Sequence, residues 1–121
     1  MERDPSLDGL LDLDGQVLVV DSETRHWVRF VARRVPASEA RPHSVEYSLT
    51  LHGPDGERLG GFDNAHAVKG QAGPGGKAGP TLDHRHRLKI VRPYAYRDAA
   101  TLVADFWAAV NAVLRERGVT P

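Results

Sequence analysis

From Ser44 to His52 the chain alternates without a break. Val45, Tyr47, Leu49 and Leu51 fall on one side, Ser44, Glu46, Ser48 and Thr50 on the other. Side chains of a strand repeat every two residues, so this pattern specifies an extended segment with one dry and one wet face. Gly53-Pro54-Asp55-Gly56 follows and supplies the residues a tight turn needs. Arg58–Asp63 then reads as the returning strand, which makes 44–63 a β-hairpin. A lone hairpin is marginal in water, so the remaining chain must add strands and cover the dry face. Gly60-Gly61 within the second strand points to a bulge or a close backbone approach.

Three further extended segments are expected. Gln16–Val20 is a short apolar run and suits a buried strand. His26–Val35 places Val28, Phe30 and Ala32 on one face and Arg29 and Arg33 on the other. His84–Val91 reads as one strand, with His84, His86, Leu88 and Ile90 opposite Arg85, Arg87 and Lys89, and Arg92-Pro93 ends it. Pro36–Pro42 is a loop. The cover is a C-terminal helix: Leu102, Val103, Phe106, Trp107, Val110, Val113 and Leu114 form one apolar stripe. Asp98 is its N-cap and Gly118 its C-terminal stop. The fold class is therefore α+β: an antiparallel β-sheet packed by a C-terminal α-helix, in a single domain spanning 1–121. An acidic N-terminal arm (1–15) carries Leu7, Leu10, Leu11 and Leu13 for a short apolar contact. The Gly/Pro-rich segment 70–80 reads as a loop. It is no phosphate-binding P-loop, because Gln71 and Ala78 stand where that motif needs Gly and Ser or Thr.

Charge is balanced, with 16 basic and 16 acidic side chains, but it is not evenly spread. Residues 1–24 set seven acids against Arg3, whereas 77–97 set Lys77, Arg85, Arg87, Lys89, Arg92 and Arg97 against Asp83. Such a basic stretch suits an anionic partner such as RNA. It equally suits a solvated strand face, or homo-oligomer formation through the acidic arm of a second copy. With no cysteine there is neither a disulfide nor a thiolate metal site. No run is apolar and long enough for a membrane span, and the charged start does not resemble a signal peptide. A cytoplasmic protein is expected.

The chemistry concentrates in two places. Asp83-His84-Arg85-His86 puts two imidazoles on one side of a strand, about 6–7 Å apart at Cα. Adjacent imidazoles can divide general-base and general-acid roles in phosphodiester cleavage, with Asp83 or Asp63 orienting one of them. Arg85 or Arg87 would stabilise charge on phosphate, although strand alternation turns them to the other face. Phe62-Asp63-Asn64-Ala65-His66 is the second place. As a strand end it is an ordinary turn maker; functionally, Asp63, Asn64 and His66 would stand beside His84. The candidate catalytic residues are thus His84, His86, Asp83 and Asp63. The candidate substrate-binding residues are Arg85, Arg87, Lys89, Asn64 and His66. The same His and Asp residues are permissible zinc or manganese ligands, but a metal-free reaction with no cofactor is the expectation. Tyr94 and Tyr96 either stack on bases or cover the helix entry, and the covering role is expected.

Tyr47-Ser48-Leu49, Gly61-Phe62-Asp63-Asn64, Asp83-His84-Arg85-His86, Pro93-Tyr94 and Asp105-Phe106 occur in that order. This arrangement, over roughly residues 25–115, resembles the TumE family of bacterial toxin–antitoxin proteins. Segment 70–80 is longer than expected between the second and third motifs, and the acidic start is not part of the resemblance. The resemblance implies a type II toxin neutralised by a helix-turn-helix antitoxin. A metal-independent ribonuclease using the histidine pair fits the residues. The alternatives are a non-catalytic nucleic-acid- or protein-binding module with a basic surface, and a nucleotide- or metal-dependent enzyme on another substrate.

Overall fold

The computed structural model describes residues 4–39, 41–64, 83–87 and 90–119. They form a six-stranded antiparallel sheet in sequential order, with two helices packed on one face. The strands are β1 (Val17–Val19), β2 (Trp27–Arg34), β3 (Val45–His52), β4 (Arg58–Asp63), β5 (His84–Arg87) and β6 (Ile90–Pro93); the helices are α1 (Leu7–Asp12) and α2 (Ala99–Glu116). The α+β architecture follows from the hydrophobic pattern. Val28, Phe30 and Ala32 of β2, Tyr47, Leu49 and Leu51 of β3, and Phe62 of β4 turn inward and are buried. Leu102, Phe106, Val110 and Leu114 of α2 close over them. Phe106 meets Phe30 and Phe62 edge-on, at centroid distances of 5.6 and 6.5 Å, an arrangement aromatic quadrupoles favour.

Both ends of α2 are capped. The Asp98 carboxylate accepts from the Thr101 N–H at 2.7 Å. The acidic start adds to this: the Asp4 carboxylate accepts from the Ala99 N–H at 2.8 Å, and the Ser6 hydroxyl oxygen accepts from the Ala100 N–H at 2.9 Å. Three of the donors orphaned in a first helical turn are thereby satisfied. At the other end Gly118, at φ +74°, lets the Val119 N–H reach the Leu114 carbonyl and its own N–H reach that of Arg115. That is a Schellman ending. The segment read as an acidic arm is thus part of the fold, with Leu7 and Leu10 of α1 in the core.

Two expectations are corrected. β1 is not buried: it is an edge strand, and Val17 and Val19 are each 56% exposed. A short apolar run does not reveal whether a strand lies centrally or at an edge. The stretch 84–91 is not one strand but two. β5 and β6 pair antiparallel, with Arg87 opposite Ile90, so the chain reverses between them. Ile90 therefore lies on the Arg87 face rather than on that of the histidines.

The β3–β4 hairpin carries the irregularity that Gly60-Gly61 announces. The pairing slips between Leu51 and His52, so that Leu51 faces Gly60 while His52 faces Arg58. Gly61, at φ +156°, has the Leu49 carbonyl oxygen where a Cβ would be 2.4 Å away. No residue with a side chain fits there.

Candidate functional site

Directly opposed residues of an antiparallel pair project to the same face. β4 and β5 oppose Asp63 to His84 and Gly61 to His86. Asp63, His84 and His86 therefore share the sheet face away from α2. Because Gly61 has no side chain, the His86 ring has room to lean toward Asp63. The two rings lie edge-to-face, 4.5 Å apart at their centroids. Their Nε2 atoms both approach one carboxylate: His84 is 2.8 Å from Asp63 Oδ1 and His86 is 3.1 Å from Oδ2. Asp63 and His84 are buried, whereas the His86 side chain is 17% exposed.

The cation beside this group is Arg58, whose guanidinium donates to Asp63 Oδ2 at 3.1 Å. It was not among the residues the sequence nominated. Simple alternation sends Arg58 and Asp63 to opposite faces, and the slip at Leu59 reverses that parity. The one available signal is Gly60-Gly61, since a bulge there implies the change of face for Arg58. Burial, with Arg58 adding to it, holds the His86 imidazole below its ordinary value, so the ring is neutral at neutral pH.

The remaining candidates are placed elsewhere. The Asp83 carboxylate accepts from the buried Tyr47 hydroxyl at 2.6 Å. Burial first, and the Asp83 charge second, push the Tyr47 phenol far upward, so it remains a donor. Asp83 thus ties β3 to the start of β5, while the carboxylate that meets both imidazoles is that of Asp63. Asn64 does not face solvent. Its side-chain oxygen accepts from the Tyr47 N–H at 2.8 Å, and its amide donates to the Val45 carbonyl at 2.8 Å. It pins the end of β4 to β3.

Arg85 lies on the helix side, 5.1 Å from the centroid of the Phe62 ring. Arg87, on the same side, pairs with Glu116 at the end of α2. With Ile90 and Arg92 these two arginines line an open groove of about 350 Å³. Positive charge and paired imidazoles thus occupy opposite faces of β5, and the basic groove does not lead to the histidines. His66, Lys89 and the segment 70–80 lie outside the described residues.

The aromatic and carboxylate residues of the remaining motifs interlock. Tyr94 packs edge-on against Phe62 at 4.7 Å, and its hydroxyl donates to Asp105 at 2.6 Å. Tyr96 stacks on Tyr47 at 5.6 Å. Both tyrosines cover the entry to α2, as expected. Fold and site together define a small α+β protein whose polar centre is built by two neighbouring strands on the sheet face away from its helices. Over residues 11–114 the chain matches the family model described as Toxin TumE, and it belongs to that family. No curated protein and no solved structure matches it. By family the protein is a toxin, which implies an antitoxin partner. Among the described residues no helix is long and apolar enough to cross a membrane.

Proposed function

We propose that this toxin cleaves RNA, with Asp63, His84 and His86 as its reaction centre, and that a helix-turn-helix antitoxin neutralises it as in type II systems. The observation that carries this is one carboxylate meeting two imidazoles beside a guanidinium. The sequence expectation divided base and acid roles between two adjacent imidazoles. Both Nε2 atoms face Asp63 instead, and His84 is only 2% exposed. His86 therefore stands nearest the substrate, and Asp63 and His84 act behind it. Arg58, 40% exposed, supplies positive charge for a phosphate at that place. Arg85 and Arg92 line the groove on the other face of β5, so they suit phosphates of a single strand that passes round the β6 edge of the sheet.

The test is cleavage of cellular RNA by purified wild-type protein, His86→Ala and Asp63→Asn. Removing either group should slow cleavage by about 100-fold or more. Equal rates in all three proteins would remove this centre from the reaction. Salt-sensitive RNA retention with no cleavage would favour a non-catalytic binding module instead.

A further inference from the structure

The electron pairs of a buried carboxylate and two imidazoles either accept hydrogen bonds or bind a cation. Here the atoms are close but badly aimed for hydrogen bonding. Asp63 Oδ1 lies 2.8 Å from His84 Nε2, and Oδ2 lies 3.1 Å from His86 Nε2. Even so, Asp63 Oδ1 and His86 Nε2 are buried without an aligned hydrogen-bond partner among the described residues. Asp63 is 5% exposed, so water does not readily make good that loss. One nitrogen or oxygen from each of the three residues falls within 4.8 Å of the others.

We propose that Asp63, His84 and His86 form a binding site for a divalent transition-metal ion of the zinc class, with ligands Asp63 Oδ1 and the two Nε2 atoms. Ligands of tetrahedral zinc, at bond lengths near 2.0–2.2 Å, stand about 3.3–3.5 Å from one another. Asp63 Oδ1 and His84 Nε2, 2.8 Å apart, need to separate by about 0.5–0.7 Å to reach that spacing, and one ligand atom from each of the three residues already lies within 4.8 Å of the others. Two imidazoles and one carboxylate are the donor set of an open zinc site, which keeps a coordination position for water or a phosphate oxygen. Arg58 holds the other oxygen of Asp63 and so fixes the carboxylate without consuming Oδ1. Nitrogen donors disfavour magnesium. This site replaces the metal-free expectation. Its catalytic role rests on the function proposed above; its occupancy does not.

The experiment is titration of chelator-treated full-length protein with Zn²⁺ by calorimetry and with Co²⁺ by visible absorption. One ion per chain should bind, with the intense d–d bands of a four- or five-coordinate centre, and Mg²⁺ should not compete. His86→Ala and Asp63→Asn should each weaken binding by more than the roughly 10- to 100-fold that outer partners cost. His43→Ala, which removes a ring that packs on Tyr96 at 4.5 Å and is no proposed ligand, should bind as wild type. Circular dichroism and thermal melting establish that each variant is folded. Absence of stoichiometric binding at millimolar Zn²⁺, or binding that survives in both folded ligand variants, would overturn the site. Stoichiometric binding that both ligand variants lose, without RNA cleavage, would keep the site and overturn only the nuclease reading.

Discussion

Arg58 and Asp63 are five positions apart on one strand and still project from the same face, with the guanidinium 3.1 Å from the carboxylate. The slip in pairing between β3 and β4 makes this possible. A bulge inserts one residue and so exchanges the faces beyond it. Leu59 takes the inserted place and is fully buried. The cation at the centre is thus a consequence of backbone irregularity, not of the basic stretch that dominates the sequence.

Gly61 is the position on which this geometry depends. Gly61→Ala would drive a Cβ against the Leu49 carbonyl at a φ that side chains rarely adopt. We expect a loss of roughly 2–3 kcal/mol or more, since strain and overpacking add. Denaturant unfolding reads it directly. A change under about 0.5 kcal/mol, an ordinary surface effect, would show that the strand relaxes freely.

Asn64 acts on the backbone. Asn64→Ala removes two buried hydrogen bonds and leaves the Tyr47 N–H and Val45 carbonyl without that partner. The expected cost is about 2–6 kcal/mol, at roughly 1–3 for each of the two orphaned groups. RNA affinity per folded molecule should stay at the wild-type level. A selective loss of RNA affinity in a fully stable variant would return Asn64 to the substrate.

The docked N-terminal segment gives a pH dependence. Burial works against ionisation of Asp4, but hydrogen bonds from Ser6 and the Ala99 N–H outweigh it and hold the carboxyl below its ordinary value. As pH falls, the unfolded chain takes up this proton first. The contribution is therefore complete at neutral pH and drains away below about pH 4. Asp4→Ala should be less stable than wild type at pH 7, with the difference narrowing in acid. A difference that stays constant through that range would assign the effect to packing.

The groove arginines should act on affinity and not on turnover. Arg85→Ala and Arg92→Ala, combined, should weaken RNA retention and flatten its salt dependence by about 0.7 in log–log slope for each phosphate no longer neutralised. Cleavage at saturating RNA should be unaffected. Filter retention across ionic strength measures the first effect, and an unchanged slope would mean that the groove does not carry RNA.

Much of the fold was legible because strand and helix periodicities are local. The alternation of 45–51 and the stripe from Leu102 to Leu114 each fix a buried face without knowledge of the rest of the chain. Gly118 and Asp98 mark helix ends through backbone chemistry that is also local. Exposure of β1 was not legible, since nothing in Val17-Leu18-Val19 says that the strand is an edge or that Val17 and Val19 oppose Arg29 and Trp27 on the face away from the helices. Nor was the reversal between Arg87 and Ile90, because the residues on both sides continue a plausible alternation.

The amino-acid order alone determined that His84 and His86 share a face and that Arg85 and Arg87 take the other, because a strand turns its side chains every second residue. It also nominated Asp63 and Asp83 as the carboxylates to meet them. Tertiary structure decided that Asp63 and not Asp83 receives both rings. Cross-strand register opposes Asp63 to His84, while Tyr47 draws the Asp83 carboxylate into the core. Register and bulges depend on how segments distant in sequence pair, and no local pattern encodes that.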